Sequence, residues 1–216
     1  MIKNIVFDIG DVLVKFMPEA SVRYAGVDEK EVDNVLAATV GSRWWAELDR
    51  GIMDEEEVIT KMIEESPKYK EAIRRFFDDG KELLVEAFDY SEKWIADMKS
   101  RGYKVYLLSN YPRSYFLLHS ETRMPFVKNV DGKVVSAFVK YVKPEPEIYR
   151  ILLDTYRLVP SECVFIDDRE DNVEGAVKAG MHGIVFKNYV DANRKLDALL
   201  EDGNKPNLIS KFSNKS

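Results

Sequence analysis

A chain of 216 residues with 45% hydrophobic side chains is long enough for one globular domain with a proper core, or for a core domain carrying a smaller insertion. Its 38 acidic and 32 basic side chains leave a net charge of −6 without a long single-sign run, so it lacks the basic stripe that binding to nucleic-acid phosphates requires. No apolar stretch approaches bilayer length, no charged-then-apolar leader opens the sequence, and the lone Cys163 cannot form an internal disulfide; a soluble cytoplasmic protein is expected.

Residues 2–8 read as the first strand, an apolar run through Ile5-Val6-Phe7 that ends in Asp8, with Gly10 as turn material. Between about Pro18 and Phe88 the periodicity is helical, and no strand is expected there. Val32, Val35 and Leu36 share one helical face, and Val58, Ile59, Met62 and Ile63 another. Ile73, Phe76 and Phe77 follow, then Leu83, Leu84, Ala87 and Phe88. Asp54 before Glu56 and Glu57 marks a helix start, with acidic groups near the positive end of the dipole. Trp44-Trp45 and Asp49-Arg50-Gly51 belong to the part of this block that would roof the end of the first strand; bundle packing and a turn are the favoured reading, substrate contact the alternative.

Past this block, strands and helices alternate. A helix through Trp94, Ile95 and Met98 stops at Gly102, and a strand over residues 104–109 ends in Ser109-Asn110. A helix begins near Ser114, and another is expected from Pro146 with Ile148, Ile151, Leu152 and Tyr156 on its apolar face. A strand over residues 163–167 ends in Asp167-Asp168. A helix over about 172–180, a strand over 183–186 and a last helix over about 191–200 complete the pattern, and the polar tail after Gly203 is expected to be loose. His119 and His182 lie away from these strand ends and are given no role.

Short, continuously apolar runs of this kind are buried parallel strands, and ligands bind at the carboxyl ends of such strands. If the three strands are neighbours, Asp8, Ser109 and Asp167-Asp168 meet at one spot, and the helical block inserted after the first strand lies over it. Two carboxylates in one place raise each other's pKa unless a cation joins them, and carboxylate and carbonyl oxygens suit Mg²⁺. Asp8 would then attack phosphorus, Lys143 would add positive charge from its proline-stiffened segment, and Ser109 with the Asn110 amide would hold phosphoryl oxygens. Asn172 would orient substrate or metal-bound water.

Four segments together resemble the haloacid dehalogenase-like hydrolase superfamily. Phe7-Asp8-Ile9-Gly10-Asp11-Val12-Leu13 is similar to its first motif and Leu107-Leu108-Ser109-Asn110 to its second. Lys143-Pro144-Glu145-Pro146 is similar to the third, and Asp167-Asp168-Arg169-Glu170-Asp171-Asn172 to the fourth. The resemblance implies an α/β fold, a Rossmann-like three-layer core with a parallel sheet and an inserted α-helical cap. Residues 1–15 and 89–216 would form the core and residues 16–88 the cap. It implies further that Asp8 becomes an aspartyl-phosphate, and that Asp8, the Gly10 carbonyl and Asp168 hold Mg²⁺. Within the superfamily the chain resembles the bacterial α-D-glucose-1-phosphate phosphatase branch, which shares Asp-x-Gly-x-Val and Asp-Asp-x-x-x-Asn. The expected activity is Mg²⁺-dependent hydrolysis of a small phosphorylated metabolite, a sugar phosphate such as a hexose 1-phosphate.

The chain departs from the phosphatase pattern at Gly10, where the family carries a second aspartate as general acid and base, a role worth about 10²–10⁴-fold in rate. A leaving group that needs little protonation, such as an anomeric oxygen or an acyl phosphate, is one answer. Asp11 is not expected to take over, since side chains at consecutive extended positions diverge. Lys140 is a second departure, standing where glycine is frequent; it either changes the loop or adds charge near the phosphate. The alternatives are a 2-haloacid dehalogenase, for which the carboxylate of Asp168 has no use, a phosphomutase, which needs the missing acid, and a non-catalytic binding or regulatory module, which would not need Asp8, Ser109, Lys143 and Asp168 together.

Overall fold

The computed structural model describes residues 1–202; the polar tail after Gly203 lies outside the described residues. Strand β1 (Asn4–Phe7) is followed by the short β2 (Val14–Phe16) and five helices, α1 (Pro18–Tyr24), α2 (Val32–Ala38), α3 (Trp45–Arg50), α4 (Glu55–Glu65) and α5 (Lys70–Asp78). The chain returns through β3 (Val85–Ala87) to α6 (Ser91–Ser100), β4 (Lys104–Ser109), α7 (Arg113–Thr122), β5 (Gly132–Val135), α8 (Ser136–Val139) and α9 (Pro146–Tyr156). β6 (Cys163–Asp167), α10 (Glu170–Lys178), β7 (His182–Val185) and α11 (Tyr189–Asp202) follow.

Five strands make one parallel sheet in the order β5-β4-β1-β6-β7. The strand that ends before Asp8 is therefore central, with β4 on one side and β6 on the other. Strand alternation divides their side chains between two faces. Ile5, Phe7, Leu107 and Ile166 enter one apolar cluster with Trp94, Met98 and Leu196 of α6 and α11. Val6, Leu108 and Phe165 enter another with Ile148, Leu152 and Ala176 of α9 and α10. Helices thus cover both faces, which is the three-layer α/β fold. Phe7 meets the edge of Trp94 at 4.6 Å between ring centroids, and burying side chains of this size contributes about 1.5–3 kcal/mol each.

The helical segment between β2 and β3 buries Val35, Val58, Ile59, Met62, Ile73, Phe76 and Phe77, the faces its periodicity marks. The Asp54 carboxylate caps α4 by accepting from the Glu56 amide at 2.9 Å. Two expectations fail here. Leu83 and Leu84 belong to a short 3₁₀ turn, and Ala87 lies in β3, which pairs antiparallel with β2. Strands of three residues with one buried side chain each are too short to impose a period of two on the sequence. β5 is likewise absent from the sequence reading: it is an edge strand whose first half, Gly132-Lys133, carries no apolar side chain.

Candidate active site

The register sets Phe7 opposite Leu107 and Ile166, so Asp8 and Asp167 leave the sheet level with each other on adjacent strands. The Asp8 amide still donates to the Ile166 carbonyl at 2.9 Å, which holds the residue in the ladder just past the end of β1. Lys143, buried in the segment before α9, places Nζ 2.7 Å from Asp8 Oδ1 and 2.6 Å from Asp167 Oδ2. Its ammonium also stands 5.3 Å from the centre of the Phe165 ring, which keeps water from that side.

Each of these three groups is held by others. The Lys143 amide donates to Asn110 Oδ1 at 2.7 Å, and Asn110 Nδ2 donates back to the Lys143 carbonyl at 3.0 Å. The side chain of Asn110 thus fixes the lysine backbone. Asn172, buried on α10, donates through Nδ2 to both oxygens of Asp167 at 3.0 and 3.1 Å. The sequence marks Asp167 only as the neighbour of Asp168; the structure ties it to Lys143, Asn172 and the Arg169 amide. Ser109, buried at the end of β4, offers its hydroxyl beside Asp8.

Burial is the main influence on the charges. It pushes the Asp8 carboxyl up to about 7 against the pull of Lys143, with Asp167 adding to the rise and the hydrogen bonds of Lys143 and Ser109 opposing it. The Lys143 ammonium is penalised by burial too, but Asp8 and Asp167 outweigh that and hold its pKa above the usual lysine value. Asp168 is raised by burial and then by Asp167 and Asp11.

Asp8, Gly10, Asn110, Lys143, Asp168 and Asn172 all line one cavity of about 390 Å³. Carboxylate oxygens of Asp8, Asp167 and Asp168 lie within 4.8 Å of one another. Asn172 Oδ1 is buried in the same region without a hydrogen-bond partner, and Asp168 forms no ion pair among the described residues. An all-oxygen set with surplus negative charge and an orphaned buried acceptor fits a hard divalent cation such as Mg²⁺.

The inserted segment reaches the same cavity through Trp45 and Asp49 of α3. The roof position agrees with the insertion point after β1, but packing and a turn are the favoured reading of these residues from the sequence, and nothing local in Trp-Trp or Asp-Arg-Gly signals that Trp45 and Asp49 line the cavity. Arg50 clamps Glu145 through both guanidinium nitrogens at 3.0 and 2.7 Å. Ser136 Oγ donates to the Asp49 carbonyl, and Lys140 Nζ to the Gly51 carbonyl. Lys140 therefore serves the loop and the docking of α3. Its backbone is left-handed at φ 69°, which explains why glycine suits that position. Asp11, also left-handed at φ 50°, accepts the Phe16 amide at 3.2 Å.

Gly51 ends α3 at φ 67°, and a Cβ there would lie 2.6–2.9 Å from the backbone and side chain of Ala137. Gly51→Ala is expected to lift α3 from the core, costing about 1–3 kcal/mol of stability in urea denaturation and lowering turnover with it. A variant as stable and active as the parent would show that α3 does not need this approach.

A family profile described as haloacid dehalogenase-like hydrolase matches residues 2–180, and the chain belongs to that family. It is a hydrolase by that membership. The chain is similar to flavin mononucleotide hydrolase 1 of Arabidopsis thaliana, 26% identical over 155 residues, which cover 67% of this chain; it spans 57% of that relative's length. It is also similar to D-ribitol-5-phosphate phosphatase of Bacteroides thetaiotaomicron, 26% identical over 217 residues, covering 93% of this chain and 99% of that one. Among solved structures, a haloacid dehalogenase-family enzyme of Bacteroides thetaiotaomicron in complex with magnesium and inorganic phosphate superposes with a TM-score of 0.72 at 23% identity, over 87% of this chain and 95% of that chain. That likeness shows the shared fold.

Proposed function

We propose that this hydrolase is a Mg²⁺-dependent phosphatase acting on a small phosphorylated metabolite, a sugar phosphate such as a hexose 1-phosphate. The observation that carries the reading is the buried pair of Asp8 and Asp167 bridged by Lys143 at 2.7 and 2.6 Å, opening onto a cavity of about 390 Å³. Asp8 attacks phosphorus, and the bond from phosphorus to the leaving oxygen breaks. Lys143 stabilises charge on the transferring group, and Ser109 with the Asn110 amide donates to its oxygens. Water then attacks phosphorus, the bond to Asp8 breaks, and phosphate leaves.

Mg²⁺, held by Asp8, the Gly10 carbonyl and Asp168, would supply the positive charge that lets these carboxylates share a site with a phosphate. Asn172 keeps Asp167 facing Lys143, so that the lysine stays centred between two acids. In the same reading residues 16–88 act as a helical cap over a core of 1–15 and 89–216, and the paired short strands β2 and β3 at both crossings support that division. Among the described residues no helix is long and apolar enough to cross a membrane. A substrate met in the cytoplasm is part of the same proposal.

The test is phosphate release from a panel of hexose, pentose and polyol phosphates, with Mg²⁺ and with a chelator. Release that depends on Mg²⁺ and favours hexose 1-phosphates is expected. Chloride release from a 2-chloro acid in the presence of chelator, with no phosphate from any ester, would overturn the reading in favour of a dehalogenase.

A further inference from the structure

Gly10 leaves the site without a side chain where a proton must be handled, and a Cβ built there meets nothing within 4 Å. The space is open, so the missing group has to come from elsewhere. Asp11 is turned back onto the Phe16 amide, and the guanidinium of Arg169 is engaged by both oxygens of Asp171 at 3.1 and 2.7 Å. The Tyr111 hydroxyl is hydrogen-bonded to His119 Nδ1 at 2.7 Å. Asp49 differs from all of these. It lines the cavity with Asp8, Gly10 and Lys143, and among the described residues its carboxyl makes no hydrogen bond or ion pair.

We propose that Asp49 is the acid and base of the reaction: its carboxyl gives a proton to the leaving oxygen as the bond to phosphorus breaks, and its carboxylate then takes the proton from the water that attacks the aspartyl-phosphate. The proton count closes over one turnover, since the proton lost in the first step is regained in the second. The inference rests on the phosphatase reading above and deepens it. It also lifts the restriction that Gly10 alone would impose, because a simple alcohol becomes an acceptable leaving group.

Three features support it beyond position. The clamp of Arg50 on Glu145 ties α3 to the segment carrying Lys143, two residues away, so that Asp49 and the phosphate-binding charge are set by one connection. The hydrogen bond from Ser136 to the Asp49 carbonyl fixes the backbone that presents the carboxyl. The surroundings suit a group that must both give and take a proton: burial pushes the Asp49 carboxyl up to about 7, with Lys143 opposing and the charge of Asp8 adding to the rise. The charged and titratable groups facing it are Asp8 from just past β1, Lys143 from the loop before α9, and Tyr111 from the loop after β4.

The experiment compares kcat/KM, which reports only the steps up to loss of the leaving group, for two esters with Mg²⁺ supplied. One is the alkyl phosphate turned over fastest in the panel; the other is p-nitrophenyl phosphate, whose leaving group needs no proton. Asp49→Asn is expected to lower the first by about 10²–10⁴-fold and the second by a small fraction of that. Adding Gly10→Asp to that variant is expected to return most of the loss on the alkyl ester, since an acid fits the open space there. Equal losses on both esters, no loss on the alkyl ester, or a parent protein active on p-nitrophenyl phosphate but inert on every alkyl phosphate would each overturn the role of Asp49. A parent protein inert on both kinds of ester would instead overturn the phosphatase reading.

Discussion

Asp8→Asn is expected to abolish phosphate release from every ester, a fall on the order of 10⁶-fold, the scale of loss when a nucleophile is removed. The amide keeps the shape of the carboxylate and can still face Lys143, but it cannot attack phosphorus. The variant carries a second, independent readout. Asp8 is buried, and its pKa in the folded protein is raised from 3.8 to about 7. The folded state therefore binds more protons than the unfolded state between those values, and the carboxyl costs stability progressively as pH rises from about 4 through 7. Metal-free Asp8→Asn should melt above the parent at pH 8, and the two should converge near pH 4. Residual turnover above a hundredth of the parent rate would remove Asp8 as nucleophile. A lower melting temperature at pH 8 would mean that Lys143 favours the ionised carboxylate more than burial opposes it.

Lys143→Met should have the largest effect on stability. The methionine fills much of the same volume against Phe165, so the packing loss is small, but Asp8 and Asp167 are left as buried carboxylates with no cation. Breaking a buried ion pair by removing one partner typically costs about 3–5 kcal/mol. The loss should be evident in urea denaturation of the metal-free protein at pH 7.5 and should shrink near pH 5, where the raised pKa of Asp8 lets it take a proton and become neutral. Catalysis should fall together with stability. A loss below about 1 kcal/mol would show that the two acids are solvated well enough to do without the lysine.

The residues that lie at the strand ends were legible because their strands are. β1, β4 and β6 are buried on both faces, and such strands write themselves as unbroken apolar runs with polar stops at Asp8, Ser109 and Asp167. Lys143 is marked by its proline-flanked segment and by the motif that segment resembles; composition alone gives no reason to bury a lysine. Asp49 is legible as part of the segment over the site, but its access to the cavity is not. It lies near the end of α3, in a segment whose apolar periodicity reports only how the helices pack on one another. What brings it to Asp8 is the fit of Gly51 on Ala137 and of Arg50 on Glu145, contacts between residues more than 80 positions apart. β2, β3 and β5 were missed for a simpler reason: they bury too few side chains to leave a pattern.

The order of strands along the chain has a consequence for how the protein is made. β1 is synthesised first, yet both partners that flank it come far later, with Asn4 paired to Lys104 on one side and to Cys163 on the other. Until the ribosome has passed those positions, the strand leading to Asp8 has two open edges and nothing in this sheet to occupy them, the condition in which strands find wrong partners. Sheets that depend on such distant pairings also form slowly. A truncated nascent chain would therefore hold Asp8 without its cradle, and any activity would arrive only once translation had delivered β6.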